Sequence, residues 1–149
     1  MKEEKSNWID GLVKIEIPTE FAKNTFVSNQ NNATGIEILY FRNSSNHIVS
    51  KIKFGKFTLG PPGLVHGGAI SAVLDEIMGA ECFNNGYLAL TKELNVKFIK
   101  PVPINNILFA IGNLDNADTG ILRMSAKLFD ENKRIYSISN GIFRIVKEI

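Results

Sequence analysis

Two hydrophobic rhythms divide this chain. Between Gly60 and Asn85 the apolar residues Ala69, Ile70, Ala72, Val73, Ile77 and Ala80 return every three or four positions, the spacing of a helix that packs one face. Elsewhere the period is two, the spacing of strands. Gly35 to Arg42 and His47 to Phe57 read as a hairpin turning at Asn43 to Asn46. Leu88 to Lys100 reads as a long strand, with Leu94, Val96 and Phe98 alternating with Asn95, Lys97 and Ile99. Pro101 and Pro103 end it, because proline cannot donate to a ladder. Ile107 to Leu114, Ile121 to Phe129 and Arg134 to Val146 follow, with turns expected at Asp115 to Gly120 and Asp130 to Lys133. The order β-β-α-β-β-β-β predicts an α+β domain over residues 35–149. In it, one helix from Gly68 to about Phe83 is enclosed by an antiparallel sheet of five or six strands. Residues 1–34 are expected as a separate N-terminal segment. Its apolar patches, Trp8 to Val13 and Phe21 to Phe26, predict short helices, a strand at the domain edge, or a lid.

One helix covers only part of one sheet face, yet Ile36, Ile38 and Tyr40 alternate with the equally apolar Leu39 and Phe41. That surplus predicts self-association. Charge changes the picture little. With 17 Lys and Arg against 15 Asp and Glu, the net charge is +2, without the clustered basic residues of a nucleic-acid binder. A single cysteine excludes an internal disulfide framework. No apolar run is long enough to span a bilayer, and the polar start MKEEKSNW lacks the apolar stretch of a secretion signal. A cytoplasmic location is expected.

The candidate chemistry sits on the helix stretch. Gly63-Leu64-Val65-His66-Gly67-Gly68 leads into it, and a stripe of small residues, Gly68, Ser71, Gly79 and Cys82, carries one carboxylate, Asp75. Thr91 opens the long strand, which continues Leu94-Asn95-Val96-Lys97-Phe98-Ile99-Lys100-Pro101, and Ser139-Asn140-Gly141-Ile142-Phe143 lies in the last strand. With these motifs, Gly35 to Val146 resembles the hotdog-fold acyl-coenzyme A thioesterases, in particular the phenylacetate-pathway (PaaI-like) type. The resemblance implies a hotdog fold, with a curved sheet wrapped round the helix. It also implies pairing into a homodimer, or a homotetramer made of two dimers, with sites at the dimer interface and an acyl-coenzyme A substrate. No cofactor and no metal are implied.

Thioester hydrolysis needs an activated water and donors for the developing oxyanion. A helix N-terminus offers unpaired N–H groups, so Gly68 N–H is the expected oxyanion donor, with Gly67 beside it. Asp75 is the expected base or nucleophile, and Glu76, about 100° round the helix, is its rival. His66 is a helper that caps the helix or orients the carbonyl, and Thr91 is a candidate to hold the water or the Asp75 carboxylate. Ser71 and Gly79 leave room for a hydrophobic acyl or aryl group that Met78 and Phe83 line or close. Lys92, Lys97, Lys100 and Arg134 are unranked candidates for the coenzyme phosphates. His47 reads as a surface residue and Cys82 as a buried one. Two other function classes fit the same chain: a hotdog hydratase or dehydratase, and a non-catalytic acyl-coenzyme A binder.

Overall fold

The computed structural model describes residues 7–16, 25–29 and 34–149. Part of the expected Phe21 to Phe26 patch lies outside these residues, as does part of the polar run Ser28 to Thr34, which reads as a loop by composition. Among the described residues, seven strands form one antiparallel sheet: β1 (Val13–Ile15), β2 (Ile36–Arg42), β3 (Ile48–Phe54), β4 (Tyr87–Phe98), β5 (Ile107–Asp118), β6 (Ile121–Phe129) and β7 (Ile135–Glu148). Their order is β1-β2-β3-β5-β6-β7-β4. The helix α1 (Gly67–Asn84) connects β3 to β4. It carries the chain past β5, β6 and β7 to the far edge.

The sheet differs from the expected curved sheet of five or six strands. The sheet has seven strands and is open, with a linear order that leaves β1 and β4 as edges. The additional strand is β1, whose Val13, Lys14 and Ile15 pair with Arg42, Phe41 and Tyr40. Three residues are too few to show a period, so the pairing is set by β2 rather than by any local signal. Val13 to Ile15 of the N-terminal segment thus form an edge strand, one of the forms expected for that segment.

Helix formation follows the expected pattern. Ile70, Val73, Leu74, Ile77, Met78 and Cys82 are buried together with Ile36, Ile52, Phe54, Leu108, Leu122, Met124, Leu128 and Phe143. The helix approaches β5 closely at Gly112, where an added Cβ would lie 3.0 Å from Glu81 Cβ and 3.1 Å from the Ile77 carbonyl. On the opposite face Val49, Phe109 and Phe129 form a second cluster with Trp8, Ile9, Leu12 and Ile111. Trp8, in a 3-10 turn at Trp8–Gly11, meets the Phe109 ring edge-on at 4.8 Å. Part of the surplus apolar surface is thus covered by the chain's own N-terminal turn.

Three ladders carry register shifts, and those in β5 and β4 depart from the sequence reading. β5 continues through Asp118 where a turn was expected from composition. Asp115 falls at a register shift between Leu114 and Asn116 and accepts from Asn113 Nδ2 (2.6 Å) and Ser125 Oγ (2.9 Å). In β4, Thr91 pairs with Phe143 and Glu93 with Ile142, so Lys92 is an extra residue. Such a bulge changes which face the following residues occupy. Tyr87, Ala89 and Thr91 meet the helix side below it, and Val96 and Phe98 above it.

Candidate functional site

Asp75 lies midway along α1, half-buried, and accepts a hydrogen bond of 2.6 Å on Oδ1 from Thr91 Oγ1 of β4. The helix runs down to Asn84, the chain turns, and β4 runs back alongside it. This return brings together two residues 16 apart in sequence. The other Asp75 oxygen has no protein partner among the described residues. The pair opens on a cleft of about 490 Å³ lined along the helix by Ala72, Asp75, Glu76, Gly79, Ala80 and Phe83. Tyr87, Leu88 and Ala89 of β4, Tyr40 and Arg42 of β2, and Thr25, Phe26 and Val27 complete most of its wall.

Glu76 also reaches this cleft, within a polar network of its own. Ser28 Oγ donates to Glu76 Oε2 at 3.0 Å and lies 2.7 Å from Tyr40 Oη, so the phenol is placed to donate to the serine. Burial raises the Glu76 carboxyl above the usual carboxylate range, and the Asp75 charge adds to this. Hydrogen bonds from Thr25, Ser28 and Tyr40 oppose the shift. Burial, then the Glu76 charge, also raises the Tyr40 phenol. Glu76 is thus committed to neighbours, whereas Asp75, which lines the same cleft, bonds only Thr91 among the described residues.

At the helix N-terminus His66 takes the first of its two expected roles, and the Gly68 N–H is engaged within the chain. His66 is the N-cap, in extended conformation, and its Nδ1 accepts from Gly68 N–H at 2.8 Å. Gly68 is required by that cap, since a Cβ there would stand 2.9 Å from His66 Nδ1. A Cβ on Gly67 would meet the Phe98 ring at 3.3 Å, and Ser71 Oγ donates to the Gly67 carbonyl at 2.8 Å. His66, Gly67, Gly68 and Ser71 cluster together, but they are not part of the cleft wall that holds Asp75, Thr91 and Gly79. Met78 lies in the core, fully buried against Gly141 and Ser139. Lys92 and Lys97 stand exposed on β4, while Lys100 lies over the Tyr136 ring and Arg134 reaches Asp130 at 3.7 Å.

Glu81 went unremarked in the sequence. Fully buried, it accepts from Ile48 N–H and meets His47 Nδ1, each at 3.0 Å. His47 is therefore half-buried and paired rather than a free surface residue. The signal was a charged residue inside an otherwise apolar helical stripe, which must find partners when buried. Cys82 is buried as expected, its thiol pushed up to about 12 by burial and the nearby Glu81 charge, so it is a poor nucleophile. Among the described residues, no group of three or more His, Cys, Asp or Glu is placed to hold a metal ion. No helix there is long and apolar enough to cross a membrane.

The family model for the thioesterase superfamily matches residues 62–136, just over half of the chain and all of α1 and β4. The chain belongs to this superfamily. Its curated relatives include Acyl-coenzyme A thioesterase THEM4 of Bos taurus, 31% identical over 73% of this chain and 46% of that protein. Acyl-coenzyme A thioesterase THEM5 of Homo sapiens is 27% identical over 71% of this chain and 43% of that protein. This superfamily member thus spans about half the length of these relatives. Among solved structures it is similar in fold to the PaaI protein of the E. coli phenylacetic acid degradation operon (TM-score 0.67, 15% identity, covering 78% of this chain and 83% of that one). A hypothetical thioesterase of Streptococcus pneumoniae TIGR4 solved with coenzyme A is comparable (TM-score 0.68, 18% identity, 76% and 90%).

Proposed function

We propose that this superfamily member hydrolyses acyl-coenzyme A thioesters to the free acid and coenzyme A. The observation that carries the reading is the Asp75–Thr91 pair opening on an apolar cleft. Asp75 takes a proton from water as the water oxygen bonds to the thioester carbon. The carbonyl becomes an oxyanion, the C–S bond breaks as it collapses, and the proton passes from Asp75 to the departing sulfur. Thr91 donates to one carboxylate oxygen and leaves the other directed at the water. The curated relatives named as acyl-coenzyme A thioesterases support this substrate class. Two structures of the pneumococcal protein are of alanine variants at an aspartate and a threonine sixteen residues apart, the spacing of Asp75 and Thr91 here.

Gly68 N–H lies two turns from Asp75 on the same helix, about 10 Å of rise. One carbonyl cannot meet both, so the Gly67–Gly68 donors are assigned to the site of a second copy, and the Asp75 site receives its partner's. His66 must release Gly68 N–H for the oxyanion. That cap favours a second reading, acyl-coenzyme A binding without turnover. A panel of acyl-coenzyme A substrates with a thiol reagent decides between them. Thiol release is expected, with turnover lowered on the order of 10²-fold or more in Asp75→Asn and KM little changed. Binding without thiol release would favour the second reading. Turnover unaffected by Asp75→Asn would remove Asp75 from the mechanism.

A further inference from the structure

The cleft has two chemically different ends. Asp75 and Thr91 mark one. At the other stands Arg42, the last residue of β2, whose Nη2 donates to Asn84 Oδ1 at 3.0 Å. The Asn84 amide is itself fixed, because its Nδ2 donates to the Asn46 carbonyl at 2.6 Å. Arg42 Nε is buried and has no acceptor. Among the described residues no carboxylate forms an ion pair with this guanidinium. Glu81, a helix carboxylate one turn before Asn84, serves Ile48 N–H and His47 instead. Asn84 lies two and a half turns beyond Asp75, about 13 Å along the helix. Between the two ends the wall is Gly79, Ala80, Phe83, Tyr87, Ala89 and Phe143.

We propose that Arg42 receives a carboxylate at the distal end of the acyl group, so that the cleft takes medium-length ω-carboxyacyl-coenzyme A in preference to the plain acyl thioester of equal length. The inference rests on the hydrolytic reading of the same site. A guanidinium fork matches a carboxylate, and such charge-assisted bonds are strong where water is excluded. The remaining charges sharpen the length requirement. Asp75 and Glu76 face the near part of the cleft and repel a carboxylate that stops short of Arg42. Glu16 also lines the cleft but is exposed, so solvent screens it. The alternative role for Arg42 is structural, a cation beside the helix C-terminus.

The test uses the full chain and acyl-coenzyme A pairs matched in length, one member plain and one carrying an ω-carboxyl group. Binding is measured by calorimetry in an Asp75→Asn background, and turnover in the wild-type background. The expected result is about tenfold or greater preference for the ω-carboxyl member at medium length. Short pairs should show none. Arg42→Met should abolish the preference, weakening the ω-carboxyl member about tenfold more than the plain one, and Arg42→Lys, which keeps the charge, should retain part of it. Equal loss for both members, or a wild type without preference, would overturn the inference while hydrolysis of plain substrates left the functional reading standing. Preferential binding that depends on Arg42, without thiol release from either member, would overturn hydrolysis and keep the carboxylate site. A chain that binds neither member would overturn both.

Discussion

At the scale of single residues, two adjacent acids have been given opposite work by a rotation of about 100°. Asp75 faces a threonine and an open cleft. Glu76 is held by Ser28 and Tyr40 and its carboxyl is raised by burial. The sign of the consequence for stability follows from proton binding. Above the usual carboxylate value of 4.5, the folded chain holds the Glu76 proton more tightly than the unfolded chain does. Stability therefore falls as pH rises through that window. Urea unfolding from about pH 4 to 8 should show wild-type stability declining relative to Glu76→Gln as pH increases. Parallel curves for the two proteins would mean that Glu76 is not destabilised by burial. Activity should be altered far less by Glu76→Gln than by Asp75→Asn.

At the scale of elements, α1 was legible because its apolar residues keep a helical period over five turns, and six of the seven strands were legible because they alternate. Other features were not. β1 is too short to carry a period. The extension of β5 through Asn116, Ala117 and Asp118 has turn-like composition, and only pairing with Arg123, Leu122 and Ile121 makes it strand. The Gly68 N–H reads in sequence as a donor free for a ligand, whereas it is spent on the His66 cap, one of the two roles expected of that histidine. Asp75 with Thr91 was legible as a pair of candidates, but their contact depends on the α1–β4 return. The network round Glu76 was illegible because Ser28, Tyr40 and Glu76 come from three separated segments. Glu81 is the pin between α1 and β3. Glu81→Ala should leave the Ile48 N–H buried and unpaired at a cost of roughly 1–3 kcal/mol, seen as a lower urea midpoint. Glu81→Gln keeps an acceptor and should lose less. If both variants matched the wild type, the pin would carry no stability.

At the scale of the whole molecule, β4 is an open edge that displays Leu90 (61% exposed) and Phe98 (54%), with Ile99 (54%) just beyond its end. An edge of this length with apolar side chains invites pairing with another strand. A second copy is the occupant that the proposed mechanism calls for, because it supplies the helix N-terminus that Asp75 lacks on its own helix. Light scattering at micromolar concentration should give a dimer or a larger assembly. Leu90→Lys with Phe98→Lys should shift it toward monomer and lower turnover together. A wild-type monomer with full activity would sink both the assembly and the donor assignment.

The extra residue in β4 gives this strand something like a reading frame. Below Lys92 the odd-numbered residues Tyr87, Ala89 and Thr91 meet the helix side, and above it the even-numbered Val96 and Phe98 do. The sequence half-hides the switch, because Leu88, Leu90, Leu94, Val96 and Phe98 read as one even row interrupted only by Lys92. The identity of Lys92 is thereby released while its presence is fixed. An exposed position of this kind tolerates almost any side chain, yet losing the position would transpose every downstream residue to the other face. Phe98 would leave Gly67, or Thr91 would leave Asp75. Spacing rather than chemistry is what this position contributes, and divergence here should be free in letters and frozen in length.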